Sequence, residues 1–435
     1  MKESLTELIG ESDFLPLAQG YAQDFFRIYN SIHEGDWPRS RKFYAHLIEE
    51  AEELESFLDD HRARENRTWF FFSELVACVR NLAKVAFILK HILNRLPAYN
   101  LKNKEIGKFE KAARMASEYF DETILRLFEA IKAESLKFGM RFPDDTLDES
   151  LLKEIYPQKR LPFTIDEEEV LDVREIVAKI ATKYLHVIQK FDNFGWDFEK
   201  CSSVPTKEWI PNKLNEENSR EVLALVHNLQ SAYDHSVTRT PLETQDTRLK
   251  EFRGYISLPL HLLSVVNWLS HFYQRHVQKV GPGGAGYDVS AIIDEDKLLA
   301  ITVDFALYYA DRYLRRAKQL ATSILAEFTE VGSCELNVPQ KLGFHLRPAT
   351  LVARLVNYHG TELSMMVDGQ QFDAGSVLSI TMGAGLIARH GYKTVVFKGD
   401  SRILHDLKIL AACNYGEDET GNRTELPPEL SYLFT

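Results

Sequence analysis

The chain has 435 residues, 45% of them hydrophobic and 27% charged, with 52 Lys and Arg against 64 Asp and Glu for a formal net charge of −12. That length suggests two or three domains and the apolar share is ample for packed cores, while the acidic balance excludes sequence-independent nucleic-acid binding, which rests on Lys and Arg neutralising phosphates. Cys78, Cys201, Cys334 and Cys413 are far apart, without zinc-ligand or redox-motif spacing, and so few cysteines suggest a reducing compartment.

The N-terminus carries acids where a signal peptide would be basic and then apolar. No run of ~20 apolar residues occurs, so no membrane span is expected. The chain reads as cytoplasmic. From the start to about residue 330 the apolar period is helical. Leu5, Leu8 and Ile9 open it, and Phe43, Leu47, Ala51, Leu54 and Leu58 follow at spacings of three and four. Residues 69–93 are apolar nearly all round, as befits the central helix of a bundle, with Trp69 and Phe70–Phe72 in its core. Another long helix is expected over 108–137, ended by Pro143, and 143–164 reads as a linker.

The helical pattern repeats. Residues 65–96 and 245–276 superpose without a gap at an offset of 180, pairing Phe72 with Phe252, Leu82 with Leu262 and His91 with His271. The expectation is a mostly α N-terminal region made of two helical bundles, 1–142 and 165–330, the second possibly a copy of the first. Little in it carries chemistry. The Glu-x-x-His pattern of di-iron bundles and the His-Glu-x-x-His zinc site are both missing, so no metal or cofactor is expected. The glycine-rich run from Gly281 to Gly286 lacks the Lys-Ser/Thr that completes a phosphate loop and reads as a helix connection. His91 and His271 read as hydrogen-bonded core or boundary histidines, and the region as a docking, regulatory or dimerising element.

After Gly332 the period changes. Residues 333–338 alternate as a strand, 346–358 form a helix that His359-Gly360 closes, and 362–367 and 370–374 are strands joined by the Asp368-Gly369 hairpin turn. Ser376 opens a second helix, ended by His390-Gly391; 392–397 is a strand, Gly399-Asp400 a turn, and Ser401 caps a last helix reaching Cys413. The order β-α-β-β-α-β-α suits an α+β open-faced sandwich, a four-stranded antiparallel sheet with three helices on one face. The residues from Gly416 onward, with acids and Pro427-Pro428, read as a flexible tail over 416–435.

The stretch Gly343-Phe344-His345-Leu346-Arg347-Pro348-Ala349 puts a histidine just before a helix start and an arginine two residues on. Pro348 favours the first turn, and the unpaired N–H groups there welcome an anion. A neutral imidazole at that place can attack a phosphoryl group, though a histidine at a helix start is also an ordinary cap or surface residue.

On that motif, the element order, Asp368-Gly369 and Ser376, residues 333–415 resemble HPr, the histidine-containing phosphocarrier of the phosphoenolpyruvate-dependent phosphotransferase system. The resemblance covers about a fifth of the chain. It implies that His345 is the phosphoacceptor, through Nδ1, and that Arg347 neutralises the phosphoryl charge beside the helix-start positions Leu346 and Pro348. It also implies an enzyme I-like phosphodonor, downstream phosphoacceptor proteins and a docking face near Leu346, Val377 and Leu378. Ser376 falls where some members carry a regulatory serine phosphorylated by HPr kinase, and it is equally a routine helix cap. Leu342 replaces the family's usual Asn or Ser, and Gly375 a common lysine. The expected function is a carrier that forms a phosphohistidine rather than a turnover enzyme; the alternative is a signalling or protein-interaction protein that uses the fold as a scaffold.

Overall fold

The computed structural model describes residues 8–34, 40–101, 105–148, 150, 173–196, 214–278 and 289–434. Cys201, the 281–286 run and most of the expected linker lie outside them. Among the described residues, contacts divide the chain into two compact units, one within Met1–Ile165, Phe194–Gln230 and Arg253–Arg315, the other within Asp166–Asn193, Ser231–Phe252 and Arg316–Thr435. The grouping runs across the region 165–330 rather than around it.

The first unit is helical. Its N-terminal part comprises α1 (Glu11–Tyr21), α2 (Gln23–His33), α3 (Arg41–Asp60), α4 (Phe70–Arg95) and α5 (Ile106–Phe138). Helix α4 packs against both α3 and α5, which is why its sequence is apolar on nearly every side. Trp69, Phe71 and Phe72 are buried at its start, while Leu8 stays exposed ahead of α1 and opens no helix.

The later helices are α6 (Val173–Asn193), α7 (Glu216–Ser236), the short α8 (Pro241–Gln245), α9 (Thr247–Phe272), α10 (Glu295–Ala300), α11 (Tyr308–Arg316) and α12 (Lys318–Phe328). Helices α4 and α9 are each 26 residues long. Between α10 and α11 runs a π-helical stretch, Ile301–Leu307. His91 does not pair with its sequence equivalent: it meets His261 edge to face at 4.4 Å, and His271 Nδ1 lies 3.1 Å from Glu216 Oε2.

Burial, with Arg41 and Arg95 nearby, lowers the His91 pKa to about 4; burial, with His91 and the same arginines, lowers that of His261 to about 3. Both folded values lie below the unfolded one near ~6.5, so the unfolded chain takes up protons first. The stability from keeping the pair neutral is complete above that value and drains as pH falls through the folded ones. Denaturant midpoints followed at the first unit should hold from pH 8 to 7, then drop by roughly 2 kcal/mol per histidine by about pH 5. Replacing both histidines with asparagine should flatten that pH profile.

In the second unit α12 packs on α6, and a four-stranded antiparallel sheet follows: β1 (Val331–Asn337), β2 (Leu363–Val367), β3 (Gln370–Asp373) and β4 (Thr394–Asp400), in the order β1-β4-β2-β3. Cys334 and Met365 both face Phe397 across the β4 pairings, and Met365 faces Phe372 on β3. Helices α13 (Leu346–His359), α14 (Val377–His390) and α15 (Ser401–Ala412) bury Val352, Ile380 and Leu407 in one core with Met365, Val395 and Phe397. Asp368 and Gly369 both have positive φ, 50° and 75°, the conformation a two-residue hairpin turn requires.

Three expectations are corrected here. Gly399-Asp400 is not a turn but the end of β4, where Gly399 faces Gly332 and Leu363; a Cβ on Gly399 would fall 2.5 Å from the Glu362 carbonyl. Asp400, not Ser401, caps α15, its carboxylate accepting from the Arg402 backbone N–H at 2.8 Å. Burial alone would raise the Asp400 pKa, but bonds from the Arg402 guanidinium and Thr361 outweigh it and hold it below the usual carboxylate range. Third, the expected flexible tail is part of the domain: Pro428–Phe434 forms a 3₁₀ turn, Leu430 and Leu433 are buried in the sandwich core, and Tyr432 donates to Asp406 Oδ2 at 2.6 Å.

Candidate functional site

Two anchors place His345. Gly343, at φ +59°, turns the chain after Pro339, whose carbonyl accepts its N–H at 3.2 Å. Phe344 is buried edge-on against Tyr415 at 5.0 Å and Phe397 at 6.0 Å. Fixing Phe344 inward leaves His345 at the N-cap of α13 with extended backbone and an imidazole that makes no capping bond. The N–H groups of Leu346 and Arg347 have no intrahelical acceptor, because they open the helix, and Pro348 has none to offer.

The side chain that meets this imidazole was not anticipated from the sequence. Glu417 Oε1 lies 2.9 Å from His345 Nε2 and 3.0 Å from Arg347 Nη1, so one carboxylate oxygen joins both residues. The Glu417 side chain is 2% exposed, against 29% for His345 and 43% for Arg347, so the pair can be reached while its partner cannot. Asn414, Tyr415 and Gly416 carry successive positive φ angles that turn the chain back toward the site. The Tyr415 hydroxyl fixes that turn on the Asn337 carbonyl at 3.0 Å. Beyond it, Asp418 accepts from Thr420 and Asn422, which holds its pKa at about 2 and closes a short loop whose Gly421 carbonyl accepts from Arg347 at 3.1 Å.

With Nε2–H donated to the Glu417 carboxylate, the lone pair of His345 is on Nδ1, which among the described residues accepts no hydrogen bond. Beside the imidazole opens a cleft of about 610 Å³, lined by His345, Arg347, Arg354 and Arg423 among others and by no acidic side chain. His345, the start of α13 and the side chains of Arg347, Arg354 and Arg423 thus line one cleft of basic character, with Arg347 bonded to Glu417 and Arg354 to the Leu433 carbonyl.

Ser376 is not gathered to this cleft. It caps α14, its Oγ accepting from the Ser379 N–H at 3.3 Å, and the adjoining Gly375 carbonyl accepts from Asn357 near the far end of α13. That is roughly 16 Å along the helix from its start at 1.5 Å per residue. Leu342, Leu346 and Leu378 are exposed, Val377 is half-buried, and Pro348 is buried.

Comparison with protein-family models, with curated proteins and with solved structures finds no match to this chain.

The Glu417 bond carries a kinetic expectation if His345 accepts phosphate. Removing the outer carboxylate partner of a metal-bound histidine typically costs 10- to 100-fold, and Glu417 holds the His345 imidazole by the same kind of bond. Glu417→Ala is therefore expected to slow phosphoryl uptake about tenfold, read as single-turnover label transfer. A faster rate would mean that Glu417 obstructs the site instead.

Proposed function

We propose that this chain is an HPr-like phosphocarrier, which accepts a phosphoryl group on His345 Nδ1 and passes it to a second protein. The observation that carries the reading is the placement of the His345 imidazole at a helix N-terminus, with Nε2 held by Glu417 and Arg347 beside it. The four-stranded antiparallel sheet with helices on one core-bearing face supports it, as do the exposed Leu346 and Leu378.

The chemistry asks little of the carrier. The Nδ1 lone pair attacks the phosphorus of a donor phosphohistidine in line, the new N–P bond forms, and the donor nitrogen keeps the electrons of the broken one. Catalysis of such transfers is mostly positioning and charge stabilisation. Arg347 and the Leu346 and Arg347 N–H groups supply the charge; Glu417 keeps the proton on Nε2 while Nδ1 reacts. The helical region serves as a docking or regulatory element for the carrier.

A second reading, in which the domain is an interaction scaffold without phosphoryl chemistry, draws on the same Glu417: its carboxylate already neutralises Arg347. Incubation with phosphoenolpyruvate and an enzyme I-type donor separates the two. Acid-labile, alkali-stable phosphate on His345 supports the carrier; partner binding by the full chain that is indifferent to His345→Ala, with no label, supports the scaffold.

A further inference from the structure

Inside the first unit, away from the His345 cleft, three metal-ligating side chains converge. Glu74 and Cys78 sit one turn apart on α4, and His276 comes from a π-helical turn, Tyr273–Val277, that extends α9. One donor atom from each lies within 4.8 Å of the other two. Cys78 is completely buried and His276 nearly so. We propose that Glu74, Cys78 and His276 form a zinc site, with a water completing four-coordination.

The donor set selects the ion. Thiolate, imidazole and carboxylate together suit zinc, whereas calcium and magnesium take oxygen ligands. Cys78 is a free thiol, completely buried, with its Sγ in the cluster beside the Glu74 carboxylate and the His276 ring. A π-helical turn is a costly local geometry found often at functional sites, and here it delivers His276.

The charges nearby leave room for the ion. Arg64 bonds Glu55 at 2.8 Å and Asp59 at 3.0 Å, and Arg80 bonds Glu55 at 2.9 Å, so two cations meet two anions. Glu74 is the surplus anion, with Arg64 only at 4.0 Å. A Zn²⁺ ion bound to the Glu74 carboxylate and a Cys78 thiolate leaves the cluster itself neutral, one charge unit more positive than the uncompensated Glu74 carboxylate.

Without the ion, Asn81 Nδ2 donates to His276 Nε2 at 3.0 Å and His276 Nδ1–H donates to Glu74 Oε1 at 2.5 Å. Zinc binding replaces that second bond. The ring proton moves from Nδ1 to Nε2, the Asn81 amide turns over to accept it and gives up the 3.3 Å bond its Oδ1 accepts from Arg80 Nη2, Nδ1 and Cys78 Sγ ligate, and the thiol proton leaves to solvent. Asn81 thereby holds the ligand's tautomer, as outer partners of metal-bound histidines do.

The test uses the full chain, stripped with chelator and titrated with cobalt(II) and with zinc. One cobalt per chain should give a thiolate-to-cobalt charge-transfer absorption in the near ultraviolet, zinc should displace it, and each zinc should release one proton into weak buffer. Cys78→Ser should lose the band, and His276→Gln should weaken zinc binding tenfold or more, about the loss that even outer-partner mutations cause. No band in the wild-type chain with its helical circular dichroism intact would overturn the site, and so would a band that survives in Cys78→Ser.

Discussion

A His345→Ala chain is expected to take up no acid-labile phosphate from phosphoenolpyruvate and an enzyme I-type donor, while keeping its fold. The imidazole side chain is 29% exposed and makes no capping bond to α13, so its removal touches the chemistry more than the packing. Arg347→Ala should retain uptake but slow it by about 100-fold, the loss typical when one preorganised charge-stabilising donor is removed. Arg347→Lys should recover only part of that rate, because an ammonium keeps the charge but not the fork that a guanidinium offers to phosphate oxygens. Equal rates in wild type and Arg347→Ala would mean that the guanidinium serves Glu417 and Gly421 alone.

The largest expected effect on stability lies in the last ten residues. Leu430 and Leu433 are 0% and 2% exposed and belong to the core that α13, α14, α15 and the sheet enclose. Truncating a buried leucine to alanine costs about 2–5 kcal/mol, the lost transfer free energy plus the cavity left behind. Leu430→Ala with Leu433→Ala should therefore remove roughly 4 kcal/mol or more, with incomplete additivity because the two share one pocket. Hydrogen exchange in peptides from 331–412 reads the loss directly: protection there should fall sharply while peptides from α3 and α4 keep theirs. Unchanged protection in 331–412 would show that the C-terminal residues decorate the domain without supporting it.

Most of the sandwich was legible because its signals are local. The alternation in β1 and β2, Asp368-Gly369 at the hairpin, and Gly360 and Gly391 after α13 and α14 each fix one element without help from distant residues. Errors fall where tertiary partners decide. Gly399-Asp400 carries the residue types of a turn, yet Gly399 is in a strand because only glycine fits beside the Glu362 carbonyl. The tail's acids and prolines read as disorder by composition; its three leucines, Leu426, Leu430 and Leu433, were the signal that it returns to a core.

The candidate site was half visible. His345, Arg347 and the helix start are neighbours in sequence, so the motif announces them. Glu417 lies 72 residues from His345, and nothing local marks it as the side chain that joins the two. The Glu74, Cys78 and His276 cluster was invisible for the same reason: the Glu-to-Cys spacing of four is common on helices, and His276 sits about 200 residues further on. Division of the helical region is a tertiary matter as well, since the two compact units interleave along the chain.

Phosphoryl transfer to His345 Nδ1, with Glu417 holding Nε2, is read by ³¹P and ¹H–¹⁵N NMR of the full chain, labelled at histidine, before and after exposure to phosphoenolpyruvate and an enzyme I-type donor. One new phosphoramidate signal is expected, coupled to His345 Nδ1, with Nε2 still protonated. Histidine spectra that do not change in the presence of active donor, or a phosphate carried on Nε2, would contradict it.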